Sequence, residues 1–383
     1  MKLEIYIYKV DQWDKAFDKS LDSKNTLVIV FGSSRQDIVT TPLKSLFSFF
    51  STSTIIGASS AGEIVQTELY ENAIVVAVMQ FHSTRIQRVT QSITDKHDSY
   101  EEGTTIAREL LADDLKAVFV LTDGLQVNGS RLTQGIDSVL PKNIIVTGGL
   151  AADDDRFEQT WVLAEARATS GYITAVGLYG DTIRISHGSK GGWDPLGIER
   201  RVTKSKNNVL YELDNQPALE IYKRYLGEKA NELPASGLLF PLELKIDSST
   251  KESKVRTILA VDEEAQSITF AGDIPEGSYV TLMKANYDRL IDGAAEAAES
   301  VFLEGYQNET LLSIAISCVG RKLVLKQRVE EELEATLEVL PSNTRQVGFY
   351  SYGEISPLAS GSCDFHNQTM TLTLIWESNA SPS

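Results

Sequence analysis

The chain opens on an alternation of apolar and polar residues, Met1-Lys2-Leu3-Glu4-Ile5-Tyr6-Ile7-Tyr8-Lys9, the period of a half-buried strand. Leu27-Val28-Ile29-Val30-Phe31-Gly32 is a continuous apolar run closed by glycine, as expected of a strand buried on both faces of a parallel sheet. A helix-like segment from Pro42 to Phe50 follows, and then Ile55-Ile56-Gly57-Ala58-Ser59-Ser60-Ala61-Gly62-Glu63.

The same plan recurs. Val118-Phe119-Val120-Leu121-Thr122-Asp123-Gly124 precedes a helix predicted from Ser130 to Leu140, stopped by Pro141. Ile144-Ile145-Val146-Thr147-Gly148-Gly149-Leu150-Ala151-Ala152-Asp153-Asp154 follows it. Gly32 maps onto Gly124 and Gly57 onto Gly148, the second pair in a shared pattern of glycine, three residues, alanine, one residue and a carboxylate, Glu63 or Asp154. Ala77–Thr84 and Ala175–Thr182 then match as strand pairs. After them the copies differ, Ile185-Ser186-His187-Gly188 standing against Ile86-Gln87-Arg88-Val89.

From about residue 200 the texture changes. A hairpin from Val202 to Leu213, turning at Asn207-Asn208, leads to a helix starting near Asp214-Asn215-Gln216-Pro217. Strand-like runs at Val255–Val261, Ser267–Ala271, Tyr279–Met283, Leu311–Val319 and Thr369–Ile375 alternate with helical stretches at Arg289–Ala298 and Val329–Leu337. The expected fold class is α/β: an internally duplicated α/β amino-terminal domain, residues 1–200, followed by an α+β carboxy-terminal domain, residues 201–383.

The formal charge of −17 argues against nucleic acid or an anionic bilayer as partner. No stretch approaches the roughly 20 apolar residues of a membrane span. The start lacks the features of a signal peptide, and two cysteines, Cys318 and Cys363, imply no disulfide framework, so a cytoplasmic location is expected. Phosphate loops, the Gly-x-Ser-x-Gly elbow, His-Glu-x-x-His and Cys-x-x-Cys are all missing. Cys363-Asp364-Phe365-His366 has the spacing of half a metal site, with no second half.

Pockets of parallel sheets form beyond the carboxyl ends of the strands, where Gly32-Ser33-Ser34, Gly57–Glu63, Asp123-Gly124 and Gly148–Asp154 would cluster. Ser59, Ser60, Glu63 and Asp154 are candidate ligand contacts there, although the glycines can equally serve tight corners. Arg321, Tyr352 and Glu354 are the candidates in the second half, Arg321 and Glu354 with a structural ion pair as the alternative.

Several motifs together resemble the FIST family, a two-domain prokaryotic sensory module. They are Gly57–Glu63, Gly148–Asp153, Gly192-Trp193-Asp194-Pro195-Leu196-Gly197, Tyr211–Ala218, Ser317–Lys322, Gly348–Ile355 and His366–Thr373. The resemblance implies a non-catalytic, small-ligand sensor that feeds signalling partners. A narrower resemblance, to stand-alone haem proteins that sense nitric oxide and regulate a separate histidine kinase, implies haem b held by His187. Of the four histidines, His187 ends a strand, precedes glycines and lies at the domain junction. His97 and His82 read as exposed helix-entry and turn residues, and His366 with Asn367-Gln368 as a hydrogen-bonded structural element. A haem-free module for amino acids or similar metabolites is the alternative, and an enzyme using Glu63 or Asp154 as general base is a third reading.

Overall fold

Three glycines, Gly57, Gly148 and Gly348, occupy one position in three copies of a single sheet. A Cβ on them would lie 2.6, 1.8 and 1.7 Å from the carbonyl oxygens of Val30, Val120 and Ala315 on the neighbouring parallel strand. The computed structural model describes residues 1–93, 98–250, 253–358 and 360–378. Within them the sequence repeat proves threefold.

Each unit has a central parallel pair: Thr26–Ser33 with Thr54–Ser60, Leu115–Thr122 with Ile145–Leu150, and Leu311–Cys318 with Thr344–Ser351. An antiparallel strand flanks the first member (Ile74–Gln80, Tyr172–Tyr179, Met370–Glu377), and a further strand lies outside it (Lys2–Lys9, Arg85–Ser92, Ile183–Lys190). Parallel strands need a crossover, supplied by the helices Gln36–Phe49, Gly129–Asp137, and Val319–Leu325 with Val329–Val339.

The units interlock. After its second parallel strand each chain segment leaves its own sheet as a hairpin arm and completes another. Glu63–Val65 with Glu68–Tyr70 joins the third sheet, Val162–Ala164 with Arg167–Thr169 the first, and Glu354–Pro357 with Cys363–His366 the second. The three sheets close around one apolar core shared by all of them, including Phe31, Phe119, Leu121, Val176, Ile314 and Phe349. Helices cover their outer faces, in separate clusters over the first sheet and over the second and third.

Two equivalences expected from sequence shift when read from strand register. Val30 pairs with Gly57 and Val120 with Gly148, so Gly32 corresponds to Thr122 and not to Gly124. Val76 pairs with Val30 and Ala175 with Val120, so Ala77 corresponds to Val176 and not to Ala175. The one-residue slip matters because side chains alternate between faces: Ala77 and Val176 both face the shared core, whereas Ala175 faces the helices.

The third unit is interrupted. In the second unit the outer strand ends at Ser92 and its helix starts at Ser99; in the third the outer strand ends at Lys190 and its helix starts at Tyr287. The intervening chain forms a nine-stranded sheet with the helix Ala218–Leu226 and a core of its own. The expected Asn207-Asn208 hairpin lies in it, between Arg200–Lys206 and Val209–Leu213. The cut at residue 200 therefore separates chain segments but not sheets, since Ile183–Lys190 pairs with Met370–Glu377 and Gly348 with Ile64.

That pairing also reassigns Ile185–Gly188. It is the outer strand of the third unit, the counterpart of Arg85–Ser92, and no deviation of the second copy from the first.

Candidate functional site

The second unit's first parallel strand ends at Thr122, and the next residue, Asp123, accepts N–H bonds on its carboxylate from Leu125 (2.8 Å), Gln126 (2.9 Å) and Gly171 (2.9 Å). This turns the chain into the helix Gly129–Asp137, capped by Asn128 Oδ1 accepting from Arg131 N at 3.1 Å. The inserted sheet docks against this corner and against the third unit's arm. Asn128 Nδ2 donates to Asp273 at 3.3 Å, buried Arg256 donates to the Phe365 carbonyl at 3.1 Å, and Lys254 pairs with Asp364.

Between the docking points lies a cavity of about 610 Å³. The second unit supplies Gly124, Leu125, Val127, Asn128, Arg131, Leu150 and Phe157; the insert supplies Asn207, Asn208, Leu238, Thr257, Leu259 and Ala271; the third unit supplies Cys318, Val319 and Tyr352. Phe157 stacks on Tyr352 with ring centroids 4.6 Å apart and planes within 6°. Tyr352 donates to Asp153, whose carboxylate also accepts from the backbone of Phe157, Glu158 and Gln159. Burial, then the Asp153 contact, pushes the Tyr352 pKa up, so it stays a donor. Thr257 is 5% exposed, and its hydroxyl has no hydrogen-bond partner among the described residues. Such a group costs about 1–3 kcal/mol of desolvation when left unpaired.

A second, polar cleft of about 200 Å³ brings together three predicted residues, Ser60, Glu63 and Asp154, with Arg156 and Lys322. Lys322 Nζ donates to the Ala61 carbonyl (2.7 Å), Glu71 (2.9 Å) and Asp154 (3.3 Å) and so ties the three units together. Burial raises the Glu63 pKa to about 8 against the lowering effect of its bonds from Ser60 and Ala73 N. The third unit repeats the pair: Ser351 donates to Glu354 at 2.8 Å, Thr369 supplies two further donors, and the pKa is again about 8, largely by burial. A pair built twice at equivalent places is structural in character. In the second unit the serine is Ala151, and Asp154, freed from it, takes a left-handed φ of 69° and reaches Lys322.

Of the other predicted residues, Tyr352 lines the larger cavity, and the rest lie elsewhere. Ser59 joins units, its hydroxyl accepting from Trp161 N at 3.1 Å. Arg321 is fully buried and pairs with Glu332 at 2.8 Å, so its partner is not Glu354. Tyr350 donates to that same Glu332. His366 bonds the Ser356 carbonyl at 3.0 Å, as a hydrogen-bonded structural residue would, while the side-chain amides of Asn367 and Gln368 have no partner among the described residues. His82 sits in the turn between strands, and His97 lies outside the described residues.

His187 is half-buried on its strand, opposite Thr373, and burial lowers its pKa, which favours the neutral imidazole that iron requires. It lines neither cleft, and no other described histidine does. The glycine beside it serves packing, because a Cβ on Gly188 would lie 1.9 Å from the Ala297 carbonyl of the covering helix. Cys318, the sulfur in the cavity wall, has its thiol pKa pushed up by burial, away from the thiolate. These residues do not fit a haem in the cavity. Among the described residues no cluster of His, Cys, Asp and Glu is arranged for a metal, so Cys363 and His366 stay half a site.

The FIST N domain matches over residues 26–216 and the FIST C domain over residues 218–357. The chain belongs to the FIST family. An uncharacterised protein, MJ1623, of Methanocaldococcus jannaschii is 26% identical over 259 residues, covering 61% of this chain. The chain spans about half the length of that curated relative, 49%. FIST domains are small-ligand sensory domains of signalling proteins and not catalysts. The larger cavity is lined from both sides of the junction between the two FIST matches.

The residues missed from sequence are those of this junction, Thr257, Phe157, Asp153, Asn128 and Arg131. The one signal available was the Asp-Gly and Asn-Gly punctuation of Asp123-Gly124 and Asn128-Gly129, which marks a loop feeding a helix.

Proposed function

We propose that this FIST protein is a signalling sensor whose ligand occupies the cavity between the inserted sheet and the second and third units. The observation that carries the reading is the cavity's shared ownership. A ligand touching Thr257 and Leu259 on the insert, Val127 and Phe157 on the second unit and Val319 on the third favours whichever docking brings the three together. A ligand shifts a conformational equilibrium only by such differential contact. The insert is held to the rest by polar contacts such as Asn128–Asp273 and Lys254–Asp364, a joint that ligand binding can tighten.

The output is a protein–protein signal to a separate partner, a histidine kinase being one such receiver, and the working location is the cytoplasm. No described helix is long and apolar enough to cross a membrane. Haem-based nitric-oxide sensing is not the favoured form of this function, because His187 does not reach the cavity. A catalytic role for Glu63 is disfavoured by the duplicate Ser351–Glu354 pair.

Thermal-shift screening of a broad metabolite panel against the wild type and Ala271→Trp tests the reading. A ligand at 100 times its dissociation constant stabilises by about 2.7 kcal/mol, and the tryptophan, by filling the cavity, abolishes that shift. Hits that survive Ala271→Trp in a folded variant would place the sensing site elsewhere.

A further inference from the structure

The cavity's charge pattern narrows the ligand. In a chain of net charge −17, none of the residues lining it is acidic and one, Arg131, is basic. The nearby carboxylates are committed: Asp123 and Asp153 are 1% exposed and hold backbone N–H groups of their own loops, and Asp273 accepts from Asn128 and interacts with buried Arg256. An ammonium group entering here meets no counter-charge, and an unpaired buried charge is strongly disfavoured.

An anion fares better. Arg131 stands in the first turn of the nine-residue helix Gly129–Asp137, where the helix dipole also favours negative charge. Its guanidinium carries one long bond to Gln134 (3.4 Å) and lies 5.5 Å from the Tyr100 ring centre. Arg131 is exposed, so the charged end belongs at the mouth. Thr257 contributes wall surface, and its hydroxyl is itself closed off from solvent. Leu125, Val127, Leu150, Val319 and the stacked Phe157–Tyr352 pair supply apolar, partly planar walls.

We propose that the cavity takes a monoanionic organic acid with a flat or branched apolar body, and that a free amino acid is not its ligand. The inference rests on the cavity being the sensing site. It replaces the amino-acid alternative drawn from the sequence with a class that lacks the ammonium group.

Isothermal calorimetry with matched probes decides it. Isobutyl, phenyl and indolyl bodies are each presented as the carboxylic acid, the α-amino acid and the amine. At least one acid is expected to bind saturably, with its amino-acid and amine counterparts weaker by about tenfold or more. Arg131→Gln, a change at an exposed position, is expected to weaken the acid by about tenfold while leaving the melting temperature of the free protein unchanged. Equal or tighter binding of an amino acid or amine overturns the inference and leaves the sensing site standing. So does the failure of every acid, or indifference to Arg131→Gln. A bound acid indifferent to Ala271→Trp instead removes the cavity as the sensing site.

Discussion

Tyr352 of the third unit donates its phenolic hydrogen to Asp153 of the second, and the same carboxylate organises the loop that presents Phe157 to the cavity. The same hydroxyl also accepts from Phe157 N at 3.3 Å, and so it fixes a wall to which two units contribute. Tyr352→Phe keeps the ring stack and removes the donor. Stability is expected to fall by about 1.5–3 kcal/mol, the range for a hydrogen bond to a charged group, in urea unfolding. Ligand affinity is expected to fall with it, and an unchanged affinity would show that the loop is not part of the site.

Thr257→Val tests the buried hydroxyl. It has no partner among the described residues, so the near-isosteric valine is expected to raise stability by about 1 kcal/mol. Thermal melting checks it, and destabilisation of the protein would contradict the unpartnered state.

Glu63 and Glu354 set a pH dependence. Both have folded-state pKa values near 8, raised chiefly by burial, against about 4.3 when unfolded. Below the unfolded value both states are protonated and this stability is fully present. As pH rises through the folded value it is lost, by an amount on the order of a few kcal/mol. Denaturation midpoints measured from pH 5 to 9 are expected to decline, and Glu354→Gln to flatten the decline.

Gly148→Ala is expected to be far costlier than a surface glycine change. Its φ is 149°, and the new Cβ would lie 1.8 Å from the Val120 carbonyl, so the parallel strands must part. A loss of roughly 3 kcal/mol or more, or failure to fold, follows from forced overpacking. Soluble expression and a melting curve check it.

His187→Ala is expected to leave any haem spectrum unchanged. His187 lines neither cleft, so a Soret band that appears on adding haem to the wild type should persist in the variant. A band lost with His187 would restore it as the iron ligand.

The sequence by itself determined the elements and the family. Continuous apolar runs ending in glycine are strands buried on both faces, and Gly57 and Gly148 were legible because a Cβ there has no room. The third copy escaped notice because its outer strand, Ile183–Lys190, is separated from its helix by the whole inserted sheet, and periodicity carries no information across such a gap. The expected register slipped by one residue at Ala77 because apolar residues on both faces blur the period of two.

Only the tertiary structure decided where ligand-sized space lies. Ser60, Glu63 and Asp154 did converge, since strand ends of one ring must meet, but they converge on a small polar cleft. The larger cavity is made by docking the insert on two other units, and contacts such as Asn128–Asp273, 145 residues apart, follow from chain topology that no local pattern records. Arg321 and Glu354 looked like partners for the same reason; burial gave each a nearer one, in Glu332 and Ser351.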